Sequence, residues 1–361
     1  MNTHEFAAAG ISVTVDLSVG HIARLSIEHG GRTLVPLHRA PWADESDADL
    51  PEGPAPNVAR LSGDFFCAPF SRNDVEAAPT HGWSANGAWE PVESAAVEGG
   101  WRARFRLERP VMGAVLEKTM TLRDGHPFLY QEHRFHGGGG EVPVAHHTMV
   151  RMEEGGTLAF SPKKCALTPE TALEADPARG RSLLAYPARS ERLERVAMAG
   201  GGFADLGRYP IGEAHEDFVT LVEAADAGIG FAACARHAEA DLVLVLKRPA
   251  ELPVTMLWYS NGGRRYAPWN GRHVGVLGIE DGCSAVGHRA SIGDNPVRRE
   301  GVATALRLVP DGSVAVRQVI GATAPDKRKP PGSIVPAGGC LILTFEDGHR
   351  EALPFDDEFL A

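Results

Sequence analysis

The sequence predicts an all-β protein: a large twisted antiparallel β-sandwich with few short helices. Three observations carry this reading. Apolar residues recur mostly at period two in short runs. Turn formers are abundant, with 41 Gly and 26 Pro in 361 residues, and Asp-Gly pairs at 124–125, 311–312 and 347–348 separate such runs. Strands that do not alternate with helices argue for a sandwich or barrel rather than a doubly wound sheet.

In chain order, residues 11–17 and 23–28 alternate as half-buried strands. Residues 36–56, rich in Pro, Asp and Glu, read as a long loop. Residues 101–122 read as a hairpin with Arg and Glu on its wet face. The four glycines at 137–140 read as a turn, without the spacing of a phosphate-binding loop. Residues 187–198 are the best short helix candidate. Residues 304–309 and 314–319 alternate again, parted by Asp311-Gly312. Residues 325–336 read as a linker to a final hairpin at 339–354. The organisation expected is one sandwich over 1–324 and an extension over 325–361 packed on it. That extension either caps a sheet edge or covers a neighbouring subunit in a homodimer.

Composition narrows the partners. The net charge is −11, and the one basic run is Lys327-Arg328-Lys329, which argues against nucleic acid or an anionic membrane surface. No apolar run reaches the length of about 20 residues needed to span a bilayer, and the first residues lack the charged and apolar regions of a signal peptide. The five cysteines are scattered, odd in number and without a C-x-x-C pair. They are expected to be reduced in a cytoplasmic protein, with no disulfide frame, metal or cofactor.

Three segments carry chemistry. Residues 258–281 form an aromatic, amide-rich and Arg-rich loop followed by an apolar strand that presents Glu280. The others are Thr80-His81-Gly82-Trp83 and His146-His147-Thr148. A carboxylate, several imidazoles and exposed indoles suit a site that grips a neutral, hydroxyl-rich ring and moves protons on it.

Four of these motifs resemble the aldose 1-epimerase (galactose mutarotase-like) superfamily in order and rough spacing over residues 10–322. Pro69-Phe70-Ser71-Arg72-Asn73 resembles its early Arg/Asn segment, and Thr80-His81-Gly82-Trp83, with Trp89, its His-Gly segment. Val144-Ala145-His146-His147 resembles the strand of its catalytic histidine, and Gly278-Ile279-Glu280 that of its catalytic glutamate. The resemblance implies a sugar-binding cleft on one sheet and exchange of sugar anomers without metal or nicotinamide. The chain departs from the pattern after His-Gly: Ser84-Ala85-Asn86 stands where the sugar-phosphate branch has an arginine, which favours an unphosphorylated substrate.

Opening a pyranose needs one base and one acid, expected on opposite sides of the ring. Glu280, at the end of an apolar strand, is expected to be the base, its pKa raised by burial. The plain alternative is an ion pair with Arg272 or Arg289. The acid is His147 or His146, since adjacent strand residues face opposite ways and only one can enter a cleft; the resemblance favours His147. His81, Arg72 and Asn73 are expected to donate hydrogen bonds to the sugar. Trp83, Trp258 and Trp269 are expected to stack on its apolar face, with His146, Asn261 and Asn270 as further contacts. Each Trp has a core role, and each Asn a turn role, as its plain alternative. A cleft Asp is expected at Asp205 or Asp217. Two other classes use the same residues: a catalytically silent sugar-binding protein, and a metal-dependent barrel with His146, His147 and a Glu as ligands.

Overall fold

The computed structural model describes residues 2–45, 54–225, 228–325 and 329–361. Two large antiparallel sheets, of nine and eight strands, face each other. The nine-stranded sheet centres on two long strands, Phe128–Val142 and Leu306–Thr323, paired along most of their length. The eight-stranded sheet runs through the neighbours His215–Glu223, Val254–Asn261 and Val276–Cys283, and Val276–Cys283 also pairs with Val144–His146 and Thr148–Arg151. A four-stranded N-terminal sheet and a three-stranded C-terminal sheet complete the larger elements.

Alternation places the core. Along Ala114–Arg123, Leu116, Met120 and Leu122 point inward, into the same buried core as Leu257, Leu277 and Ile279 of the facing sheet. The central strands of the eight-stranded sheet are buried on both faces, because a second apolar layer built on Trp42, Phe65, Phe70, Phe218 and Trp258 covers the other side. A third layer covers the outer face of the nine-stranded sheet. There Phe128, Tyr130, Leu242 and Leu244 pack under Ile334, Leu341 and Leu343 of the C-terminal strands.

The hairpin expected at 101–122 is present as Gly100–Leu107 paired with Ala114–Arg123, and Asp124-Gly125 turns the chain into the next strand. Asp347-Gly348 likewise joins Cys340–Thr344 to Arg350–Pro354. Four local expectations need correction. The 187–198 segment is not a helix; it carries the short strands Ala188–Ser190 and Val196–Ala197. The glycines at 137–140 lie inside Phe128–Val142, where Gly137, Gly138 and Gly140 take positive φ. Asp311-Gly312 does not end a strand but sits where Leu306–Thr323 shifts register against its neighbour. The 325–336 segment contributes a third strand, Ser333–Ala337, to the C-terminal sheet. Most of the acidic stretch of the 36–56 loop, and Lys327 and Arg328 of the basic run, lie outside the described residues. Among the described residues no helix is long and apolar enough to cross a membrane.

Candidate active site

The outer face of the eight-stranded sheet floors an open hollow of about 530 Å³, a size in the range of small-molecule sites. On Val276–Cys283, alternation turns Gly278 and Glu280 to this face and Ile279 and Asp281 to the inter-sheet side. Trp258 stands opposite Gly278, and Met256 opposite Glu280. Gly278 leaves little room here: a Cβ would come within 3.0 Å of the Trp258 Cβ and 3.2 Å of Glu280 Oε1.

His147 reaches the same floor from the break between Val144–His146 and Thr148–Arg151. Its N–H donates to the Phe65 carbonyl at 2.9 Å, and its ring stacks on Phe65 with centroids 4.4 Å apart. The edges of His81 and Trp258 close round it, at 5.5 and 5.4 Å. Its Nε2 lies 3.2 Å from Glu280 Oε1, while its buried Nδ1 has no partner. Arg272 pairs instead with Glu45, and the Arg289 guanidinium donates to the Asp74 backbone carbonyl, so neither takes up Glu280.

Burial acts on the two groups in opposite senses. Desolvation lifts the Glu280 carboxyl well above its ordinary value, against the weaker pull of the Arg264 charge. Desolvation, reinforced by His81, holds the His147 imidazole well below its ordinary value. Both shifts favour the neutral forms, a protonated carboxyl on Glu280 and an uncharged imidazole on His147.

The walls are aromatic. The Trp258 indole N–H donates to Glu216 Oε2 at 2.7 Å, and its ring stacks on His273 with centroids 5.3 Å apart. Ser260 Oγ donates to Glu216 Oε1 at 2.8 Å and lies 2.6 Å from His273 Nδ1, which fixes that imidazole behind the indole. Trp269 meets Trp258 edge to face at 5.9 Å. The Arg264 guanidinium sits 4.4 Å from the Trp269 ring centroid. Its Nε donates to Glu174 Oε1 at 2.8 Å, an oxygen that also accepts from the Tyr266 hydroxyl at 2.8 Å.

Of the residues expected at the site, Glu280, His147, His81, Trp258 and Trp269 line this hollow. His81 is aimed there by positive φ at both His81 and Gly82; a Cβ on Gly82 would lie 2.0 Å from the Ala68 carbonyl oxygen. The Ser71 N–H donates to its Nδ1 at 3.3 Å, and burial lowers its imidazole to about 4.

The others stand elsewhere, each for a local reason. His146 faces the inter-sheet side, 3.4 Å from Asp64 and edge-on to His133, because adjacent strand positions diverge; this also separates the two histidines of the metal-ligand alternative. Trp83 packs on the main core under the Arg109 guanidinium. Arg72 is exposed outside the hollow. Asn73 caps a turn by accepting from the Val75 and Glu76 N–H groups. Asn261 ties Gly212 to Gly275, and Asn270 is an exposed turn residue at φ 45°. Asp217 accepts from the Leu183 and Leu184 N–H groups and pairs with His215, and Asp205 binds its own turn at Gly207. Neither aspartate lines the hollow. The group that sequence reasoning missed is Arg264 with its carboxylate Glu174. The loop was legible as Arg-rich, but nothing in it distinguishes Arg264 from the exposed Arg265.

No protein-family model matches the chain, and no curated protein matches it by sequence. Solved structures do match. A protein from Escherichia coli K12, provisionally named an aldose 1-epimerase, superposes with a TM-score of 0.58 at 12% identity, over 89% of this chain and 99% of that one. A galactose mutarotase-like protein from Clostridium acetobutylicum gives 0.52 at 14% identity, over 88% and 94%. A galactose mutarotase related enzyme from Lactobacillus acidophilus gives 0.50 at 11% identity, over 90% and 99%. The fold is therefore the galactose mutarotase-like β-sandwich expected from the motifs; at these identities the likeness is one of fold.

Proposed function

We propose that this protein interconverts the anomers of an unphosphorylated aldose or sugar derivative, with Glu280 and His147 as its proton-transfer pair. One observation carries the reading: the 3.2 Å contact between His147 Nε2 and Glu280 Oε1 on the floor of an open, indole-walled hollow. Acid and base side by side suit this reaction better than the opposed arrangement expected from sequence, because both reacting oxygens, O1 and the ring O5, are bonded to C1.

The proton inventory follows from desolvation and reverses the roles expected from sequence. Glu280 gives its proton to O5 as the C1–O5 bond breaks, and His147 Nε2 takes the proton of the C1 hydroxyl. The aldehyde rotates about C1–C2. O5 then adds to the other face of C1 and returns its proton to Glu280, while His147 returns its own to O1. The pair ends as it began, and no electrons leave the substrate.

The other groups have supporting roles. Trp258 and Trp269 give the hollow an apolar indole wall, with their ring faces shared by His273 and Arg264. Arg264, half neutralised by Glu174, and His81 supply donors for sugar hydroxyls. The absence of an arginine after His81-Gly82 supports a substrate without a phosphate.

The test is anomer exchange followed by NMR over a panel of free aldoses, with Glu280→Gln as control. Exchange by the native protein that disappears in the variant is the expected result. Sugar binding with no exchange by the native protein would make the chain a binding protein instead.

A further inference from the structure

We propose that the cleft takes the reducing end of a saccharide of two or more units, with a second sugar seated beside the Glu280–His147 pair. The proposal rests on the anomer-exchange reading of that pair and adds the class of substrate. A second hollow of about 360 Å³ adjoins the first. Ser71, Pro169, Thr171 and Val286 line both, so the two are one groove with a shared waist.

Strand register shows how the groove runs. Met256 stands opposite Glu280, Thr220 opposite Met256, and Leu167 opposite Thr220. This row crosses the sheet from the carboxyl in the first hollow to Thr220 and Leu167 on the floor of the second. Two strand spacings separate Glu280 from Thr220, roughly 10 Å, the length of two linked pyranose rings. Thr220 is only 4% exposed, and among the described residues its hydroxyl has no hydrogen-bond partner, so it is free to bond a ligand.

The second hollow suits a neutral sugar. One cation and one anion, Arg72 and Glu170, stand at it, and Val286 and Pro296 give it an apolar wall. Because C1 must stay at the Glu280–His147 pair, the second sugar is linked through a hydroxyl other than that of C1. The substrate class is thus a reducing oligosaccharide, entered from its free-anomer end.

The experiment compares glucose and galactose with cellobiose, maltose and lactose, by calorimetric binding and by NMR anomer exchange. At least one disaccharide is expected to bind and to show kcat/KM on the order of tenfold above its monosaccharide, which one or two further hydrogen bonds supply. Ala290→Trp fills the second hollow from its exposed lip, and it should bring that preference back toward one. Thr220→Val, which keeps shape and removes the hydroxyl, should reduce it severalfold. Equal binding and exchange of mono- and disaccharides, or a preference untouched by both variants, overturns the second subsite. A disaccharide preference in binding without exchange overturns the proposed reaction and leaves the subsite standing. No binding of any of the five overturns both.

Discussion

Replacing Glu280 with Gln separates proton transfer from everything else this residue does. The side chain is 2% exposed, and its carboxyl contacts the His147 imidazole at 3.2 Å. Gln fills the same volume and can donate an amide N–H to the same Nε2. What is lost is the one transferable proton. Positioned acid–base groups contribute about 10²- to 10⁴-fold, so anomer exchange should slow by that factor, or about 3–5 kcal/mol of barrier. His147→Asn should cost a similar factor, and the double variant little more than either single one, because the two act as a unit.

Stability should move the other way. The unfolded Glu280 releases its proton near 4.5, whereas burial keeps it on in the folded protein. Folding stability therefore declines as pH rises above 4.5 toward the folded value, and a neutral Gln escapes that decline. Glu280→Gln should melt at or above the native temperature at pH 8 while exchanging anomers slowly. NMR exchange of the preferred aldose, with thermal melting on the same samples, reads both effects. A variant that exchanges at near-native rate, or one that is inactive because it has unfolded, would refute the reasoning. In the native protein the rate should fall in acid, once His147 is protonated well below 6.5, and should fall again as pH rises past the raised value at which Glu280 ionises.

Arg264→Gln should raise KM for a bound aldose by about tenfold, the worth of a charged hydrogen bond, with a smaller change in kcat; steady-state kinetics resolve the two, and an unchanged KM would remove Arg264 from sugar binding. Burial lowers His38 and His81 from 6.5 to about 4. Below 6.5 the unfolded chain takes up protons that the folded chain refuses until about 4, so stability should fall across that window. Urea midpoints at pH 7 and pH 4.5 measure the fall, and His38→Gln should lessen it. Leu343→Ala, at a fully buried position under the C-terminal sheet, should cost about 2–5 kcal/mol in urea unfolding and leave exchange at 20 °C untouched; a smaller loss would mean that the third layer is loosely packed.

The fold was legible where strands of the nine-stranded sheet lie outside the C-terminal layer, are wet on one face and declare themselves by alternation, as Ala114–Arg123 does. It was least legible where that rule weakens. Val276–Cys283 is buried on both faces, so its parity is invisible in hydropathy, and only the chemistry of Glu280 singled it out. The positive φ of three glycines let a strand pass through 137–140 where composition reads as a turn. The aromatic and histidine parts of the site were legible, since few side chains suit a sugar face or a proton relay. The amides were not: Asn73, Asn261 and Asn270 sit beside turns, and the same hydrogen-bonding groups that could hold a sugar hold the backbone instead. Parity would also have corrected the aspartate. If Phe218 faces the hollow, Glu216 and Thr220 share its side of His215–Glu223, and Asp217 is turned away.

Two consecutive carboxylates state the physical basis of the site. Glu280 and Asp281 have the same chemistry and almost the same burial, 2% exposed each. Asp281 turns between the sheets, where it pairs with Lys247 at 3.2 Å and accepts from Thr255 at 2.7 Å and Gln318 at 3.1 Å. Every favourable partner a carboxylate can have is supplied, which suits a structural link. Glu280 turns to the hollow and meets one uncharged imidazole, with the nearest cation, Arg264, engaged by Glu174. Deprived of such partners, it keeps a proton that a ring oxygen can take. One step along a strand thus separates scaffold from chemistry, and an ammonium group placed beside Glu280, as by Met256→Lys on the facing strand, should ionise the carboxyl and stop exchange without removing either member of the pair.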